Sequence, residues 1–293
     1  MSSTHPVKDH IKKLKETFDQ LKTGKDSLLR IIDETELSES VYNSNAIENS
    51  TLTLKETEKI LLEMEVSRDV SLREVFEAKN LARVMEYVHT KSFEQELTKE
   101  MILLLHTMLI GNINDGIAGR FRAPNEYVRV GTHIGAPPER INYLIDTMLL
   151  EYTSNHTVYF ADSIAQFHLA FETIHPFNDG NGRIGRVLIN YQLNRLGFPG
   201  IIIRDKEKRK YYQAFEVYRD DKNTKPMEKI MILALMESLH KRITYLKGEP
   251  IITLSEYAQK RSKPAPLVLN AAKRQTLPAF REKGVWKIGE SFV

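Results

Sequence analysis

Apolar positions recur at helical spacing along most of the chain. Between residues 8 and 33, Ile11, Leu14, Phe18, Leu21, Leu28, Leu29 and Ile32 follow one another at three- to four-residue steps, broken near Gly24. Thr53 with Glu56, and Ser71 with Glu74, have the spacing of capping boxes. They predict one helix ending at about residue 64 and another running through about residue 88. Residues 98–110 and 137–153 read as amphipathic helices, with Pro137 and Pro138 suited to a first turn. Over 161–174, Ile164, Phe167, His168, Phe171 and Ile174 share one stripe. Further helices are expected over 181–196, stopped by Gly197, and over 205–221 and 226–246. Two regions break the helical period. One is 126–135 (EYVRVGTHIG), β-branched and aromatic and closed by Gly, which reads as a surface hairpin. The other follows the linker Lys247-Gly248-Glu249-Pro250: helices over 253–261 and 266–274, then an extended stretch over 278–293. The fold class expected is mainly all-α, with a small β-hairpin and a small C-terminal module.

Composition narrows the chemistry. In 293 residues, 41% are hydrophobic, enough for a real core, and no apolar run approaches a membrane span. The start, MSSTHPVKDH, lacks a signal-peptide core, so a cytoplasmic location is expected, with no membrane partner. The absence of Cys excludes disulfides and thiol chemistry. The formal net charge of +3 makes no global case for nucleic acid, so any such partner needs a local patch.

The densest chemistry lies at 175–186, His-Pro-Phe-Asn-Asp-Gly-Asn-Gly-Arg-Ile-Gly-Arg. His175 follows the 161–174 helix and can overhang the next loop. Phe177, between polar neighbours, is expected to plug into the core. Asp179 is a metal-capable acid in a turn. Gly180 and Gly182 permit close backbone approach, so the amides of 180–183 can converge where a helix begins and an anion is favoured. Arg183 and Arg186, three apart, present two guanidinium forks on one helix face. A base, a metal-capable acid and a phosphate cradle together suit transfer on a phosphate ester. Each element alone is commonplace in structural turns and helix ends; their gapless succession is not. A rival reading takes Gly180, Gly182 and Gly185 as a dinucleotide fingerprint with Asp205 downstream, but it requires a strand directly before Gly180, where a helix is expected.

Residues 175–186 resemble the signature of the Fic-domain family of AMP-transferases (adenylyltransferases), filling each defining position of its pattern. Gly119-Arg120-Phe121-Arg122 followed by 126–135 resembles the family's lead-in and its substrate-aligning flap, and Tyr211-Tyr212 resembles its nucleotide-side tyrosines. The similarity covers about residues 40–245. It implies a Fic-type helical fold, with N-terminal helices over 1–95, a catalytic core over 96–247 and a module over 248–293. It further implies transfer of AMP from ATP to a Ser, Thr or Tyr hydroxyl of a target protein, or of the chain itself. His175 would be the base, and Asp179 would hold Mg²⁺ or Mn²⁺. Phe177, Gly180, Asn181, Gly182, Arg183, Arg186, Tyr211 and Tyr212 would form the nucleotide site, with Arg186 on the γ-phosphate. Val128, Arg129, Val130 and Gly131 in the flap would lay down the target as an added strand. One departure is Tyr218-Arg219-Asp220-Asp221, where some relatives carry an adenine-side Asn.

Ser44-Asn45-Ala46-Ile47-Glu48-Asn49 is similar to the inhibitory pattern of the subclass with an N-terminal inhibitory helix. By composition alone it reads as a cap or turn with Glu48 solvated. The resemblance implies instead that Ser44, Glu48 and Asn49 form a brake, Glu48 competing for Arg186. In some relatives the same Glu orients water to remove AMP, so de-AMPylation is the alternative activity. The tail resembles a winged-helix module of the excisionase type. Lys260, Arg261, Lys263, Lys273, Arg274, Arg281, Lys283 and Lys287 make it basic, so a DNA-binding regulator is the non-enzymatic alternative to a docking module for protein or homodimer contacts.

Overall fold

The computed structural model describes residues 5–66, 70–154 and 157–292; Val293, the last residue of the expected 278–293 stretch, and the first four residues lie outside them. The N-terminal helices are α1 (His5–Lys22), α2 (Asp26–Ile47), α3 (Leu54–Glu58) and α4 (Leu72–Lys91). They are followed by α5 (Lys99–Ile110), α6 (Ile141–Ser154), α7 (Phe160–Ile174), α8 (Asn181–Arg195), α9 (Lys208–Asp221) and α10 (Lys225–Lys247). The tail adds α11 (Leu254–Lys260) and α12 (Ala265–Lys273). Strands β1 (Arg129–Val130) and β2 (His133–Ile134) pair as one hairpin. Strands β3 (Ile251–Thr253), β4 (Ala279–Glu282) and β5 (Val285–Gly289) form an antiparallel sheet in the order β3-β5-β4. The chain is mainly helical, as its apolar period predicts.

Two compact units share these elements: residues 38–198 with 202–228, and the remainder before 38, at 199–201 and from 229 onward. In the first unit α8 packs against α4, α5 and α7. It buries Ile184, Val187, Leu188, Ile189, Tyr191 and Leu193 around its whole circumference, the mark of a central core helix. Its N-terminus therefore opens inside the unit, and the loop that feeds it, 175–180, is anchored there by buried Pro176, Phe177 and Gly180 while Asn178 faces outward.

In the second unit the tail buries Leu254, Tyr257, Val268, Ala272 and Ile288 against one another. A Thr253–Glu256 capping box opens α11. β3 is an element that a three-residue run cannot announce; it is made by pairing, Ile252 opposite Ile288. In the same unit Lys241 is buried 3.0 Å from Glu36 and 3.3 Å from Glu282, and Arg242 is buried against Asp33 and Glu36, these carboxylates being only half-buried. Removing a carboxylate partner would leave a buried cation short of its counter-charge, which is costly.

Several elements differ from the pattern-based expectation. The 8–33 run is two helices, and the second continues to Ile47. Residues 34–46 are too polar for an apolar stripe, yet Ser38, Glu39, Asn43, Ser44 and Asn45 are buried. Three of them are buried with a partner: Glu39 meets Arg204, Asn43 accepts from the Asp205 amide, and Ser44 accepts from Arg186. The Thr53–Glu56 box forms in both directions, but the helix then widens to a π-turn over Lys59–Glu63 and ends with Met64 left-handed. The second box forms by half. Ser71 accepts from the Glu74 amide, while the Glu74 carboxylate takes the amide and hydroxyl of Thr51.

Candidate active site

His175 caps the C-terminus of α7 in the left-handed conformation (φ 52°), which turns the chain sharply into the loop. Phe177 is fully buried and stacks on His106 of α5, ring centroids 3.7 Å apart and nearly parallel. Asn181 closes the loop reciprocally: its side-chain oxygen accepts from the Phe177 amide (2.9 Å) and its NH₂ donates to the Phe177 carbonyl (2.8 Å). Gly180 has φ +82°, and a Cβ there would press on Leu109 and Ile110. Glycine is thus required by both backbone and space. From it α8 begins, presenting amides with no intrahelical acceptor.

The charged groups converge on this helix start. Asp179 accepts from the Gly180 amide and from Arg183 (3.0 Å), and pairs with Arg73 of α4. Burial would raise its carboxyl, but Arg183 and Arg73 win and hold it below the usual carboxylate range. Arg183 also reaches Glu77 at 3.2 Å, and its Nε lacks an acceptor. Arg186, one turn on, donates from Nε to the Ser44 hydroxyl (2.9 Å). Its Nη2 serves the Ser44 carbonyl (2.8 Å) and Glu48 Oε1 (2.9 Å), while Nη1 has no acceptor. A Cβ on Gly182 would overlap the Glu48 carboxylate, so that carboxylate fills the hollow over the first turn of α8. The N-terminal segment thereby puts an anion in the cradle.

The base side is different. Burial lowers the His175 imidazole to about 4, so it is neutral at pH 7. The ring bonds the Glu172 backbone, and Nδ1 lies 3.9 Å from Glu172 Oε2; with the proton on Nδ1, Nε2 would be the free base. Arg122, itself buried, donates to the carbonyls of His175 (2.9 Å), Ala136 (2.6 Å) and Glu126 (2.7 Å), tying loop and flap base together. The hairpin pairs Arg129 with Ile134 and Val130 with His133. Val130 and Ile134 are exposed, and Gly131 turns with φ +60°. Val128 accepts from Gly135, whose added Cβ would stand 3.2 Å from that of His175. On α9, Tyr211 is fully buried behind Arg186 and bonds His168 at 2.7 Å, whereas Tyr212 donates to the Ile47 carbonyl (3.2 Å). Burial pushes the Tyr212 hydroxyl up to about 12. Asn49 accepts from Lys208 at 2.8 Å.

The motif residues and Ser44, Glu48, Asn49, Tyr211 and Tyr212 thus cluster in one unit. Pattern reading missed Arg73, Glu77, His106, Arg122 acting as a clamp, and Glu172. Only His106 carried a signal, as the lone polar ring in an apolar run. Its Nδ1 accepts from Gly119 and its Nε2 donates to the Asp179 carbonyl, both at 3.0 Å. Among the described residues no group of three or more His, Asp or Glu could ligate a metal by itself, and no helix is long and apolar enough to cross a membrane.

Residues 96–193 match the Fic/DOC family. The chain is 33% identical over 197 residues to the protein adenylyltransferase Fic of Drosophila willistoni, covering 65% of this chain and 39% of that protein. To its namesake in Nematostella vectensis it is 32% identical over 180 residues, 59% of this chain and 41% of that one. The chain thus spans about two fifths of the length of these curated relatives. A Fic domain containing signaling protein from Bacteroides thetaiotaomicron superposes with a TM-score of 0.73 at 26% identity, over 82% of this chain and 97% of that one. Fic-1 from C. elegans does so at 0.71 and 25%, over 82% and 71%.

Proposed function

We propose that this chain, which carries a domain of the Fic/DOC family, is a protein adenylyltransferase restrained by its own Glu48. The observation that carries the reading is the meeting of a neutral base, His175, with Asp179, Arg183 and Arg186 on one loop and helix start. The names of its relatives agree with it. The target hydroxyl oxygen attacks the α-phosphorus of ATP, the bond to the β-phosphate oxygen breaks, and pyrophosphate leaves. The hydroxyl proton passes to Nε2 of His175. The first-turn amides of α8, with Arg183 and Arg186, stabilise the negative charge on the phosphates. Asn181 serves this cradle indirectly, because both ends of its amide hold Phe177.

One carboxylate fits a Mg²⁺ ion whose other ligands are substrate phosphates and water, and Asp179 is ionised and one third exposed. Bound there, the ion would neutralise phosphate charge. Exchange of Asp179 away from Arg73 and Arg183 would free both arginines for phosphate oxygens.

Glu48 restrains the reaction by occupying the hollow over Gly182 and one arm of Arg186, where a γ-phosphate belongs. ATP bound over it would be displaced from in-line geometry, and small misplacements cost roughly a hundredfold. The flap edge at Val128–Gly131 would take the target segment as an added strand. Residues 248–293 read as a winged-helix-like accessory module. The test is the intact mass of wild type and Glu48→Gly after incubation with ATP and Mg²⁺. Gain of AMP units in the variant, and little in wild type, is expected. Equal modification of both sinks the brake, and no modification of either, with ATP bound, sinks self-modification and leaves transfer to a separate target, another donor or AMP removal.

A further inference from the structure

Behind the base lies a buried polar chain that the reaction above does not use. Glu172 and His168, both on α7, lean into the space that Gly185 leaves on α8. A Cβ at Gly185 would overlap Glu172 Oε1 and stand 3.0 Å from His168 Nδ1. Neither of those buried atoms has a hydrogen-bond partner. Their roles are complementary. The Arg186 guanidinium faces the Tyr211 oxygen, so the Tyr211 hydroxyl points its proton at His168 Nε2, 2.7 Å away. His168 then carries its own proton on Nδ1, toward the Gly185 backbone, and Glu172 Oε1 lies in the same space with no donor bonded to it. The other oxygen, Oε2, is 3.9 Å from Nδ1 of His175.

We propose that Glu172 is a positioning residue for His175, holding the imidazole and setting its proton affinity from the side opposite the target hydroxyl. The inference rests on His175 being the base. The groups facing Glu172 are His168 and His175 on its own helix, Arg186 on α8, Tyr211 and Tyr212 on α9, and Glu48 after α2. Burial first, then the Glu48 charge, push its carboxyl up to about 8, against the pull of Arg186. A neutral acid therefore faces the ring at pH 7. Ionised, it would favour the imidazolium and keep a transferred proton on the ring. Gly185 keeps the space in which this acid sits.

The experiment compares pH profiles of AMP transfer in the Glu48→Gly background. Glu172→Ala lowers kcat roughly tenfold or more at unchanged KM for ATP, because the ring keeps its bond to the residue 172 backbone but loses the carboxyl packed beside Nδ1. Glu172→Gln, neutral and of the same shape, restores most of the rate at neutral pH. It also removes the inflection that burial lifts above the usual carboxylate range in the Glu48→Gly parent. Glu172→Ala with the parent's kcat and profile overturns the proposal, and so does an inflection that persists in Glu172→Gln. If the alanine variant does not fold, the glutamine profile decides. His175→Ala separates the two readings: retained transfer sinks the site, whereas lost transfer with parental Glu172 variants sinks only this inference.

Discussion

The 175–186 loop and the 126–135 flap meet at His175 and are built in opposite ways. The side chains at the turn of the loop are fixed: Phe177 stacked, Asn181 bonded at both ends, Asp179 paired twice. The flap has two cross-strand pairs, exposed Val130 and Ile134, and few anchors beyond Arg122 and the His133–Thr173 contact at 2.9 Å. Reactions on phosphates need fixed donors, whereas a segment laid on by backbone pairing needs an edge that can adapt. In the proposed reaction the rigid part would face the constant substrate, ATP, and the adaptable part the variable one, the target segment.

That contrast can be broken in order of expected size. Removing the base by His175→Ala in the Glu48→Gly background should lower transfer about 10²–10⁴-fold, read by AMP incorporation. Glu48→Gly alone should raise self-modification by roughly a hundredfold, read by intact mass. Phe177→Ala should cost about 3–5 kcal/mol in urea unfolding, whereas Ile134→Ala, on the flap, should stay within about 0.5 kcal/mol. A flap variant as destabilising as the loop variant would erase the distinction. Ile134→Ala should instead reduce modification of the target while ATP affinity, measured by calorimetry, is unchanged.

The loop should also be the acid-sensitive part. Burial lowers His106 and His175 to about 4 and His168 to about 3, against about 6.5 in an unfolded chain. The unfolded state thus binds more protons below pH 6.5. Their contribution to stability is complete above that value and is lost progressively toward about pH 4. Glu172 has the opposite sign: raised to about 8, it contributes fully below its unfolded value near 4.5 and less as pH rises to 8. The urea midpoint should therefore fall between pH 7 and pH 5; an unchanged midpoint would contradict neutral burial of these rings.

Much of the loop was legible in the chain because its chemistry is local. A left-handed turn, a glycine cradle and a helix start need only neighbours in sequence, so twelve consecutive residues carry them. The flap was legible as an extended stretch, though only four of its residues are strand. The 34–47 part of α2 was not. Its residues are buried through Glu39–Arg204 and Asn43–Asp205 pairs more than 160 positions apart, which leave no apolar period.

The sequence by itself determined the helical class, the candidate catalytic loop and the candidate brake, since period and contiguous motifs depend on short-range geometry. Only the tertiary structure decided that Glu48 reaches the Gly182 hollow and Arg186, that His106 supports Phe177, that Tyr211 is a buried link, and that Glu172 stands neutral beside His175. Each of those depends on which helices pack together and on how thoroughly water is excluded between them. Neither condition is written in any one segment of the chain.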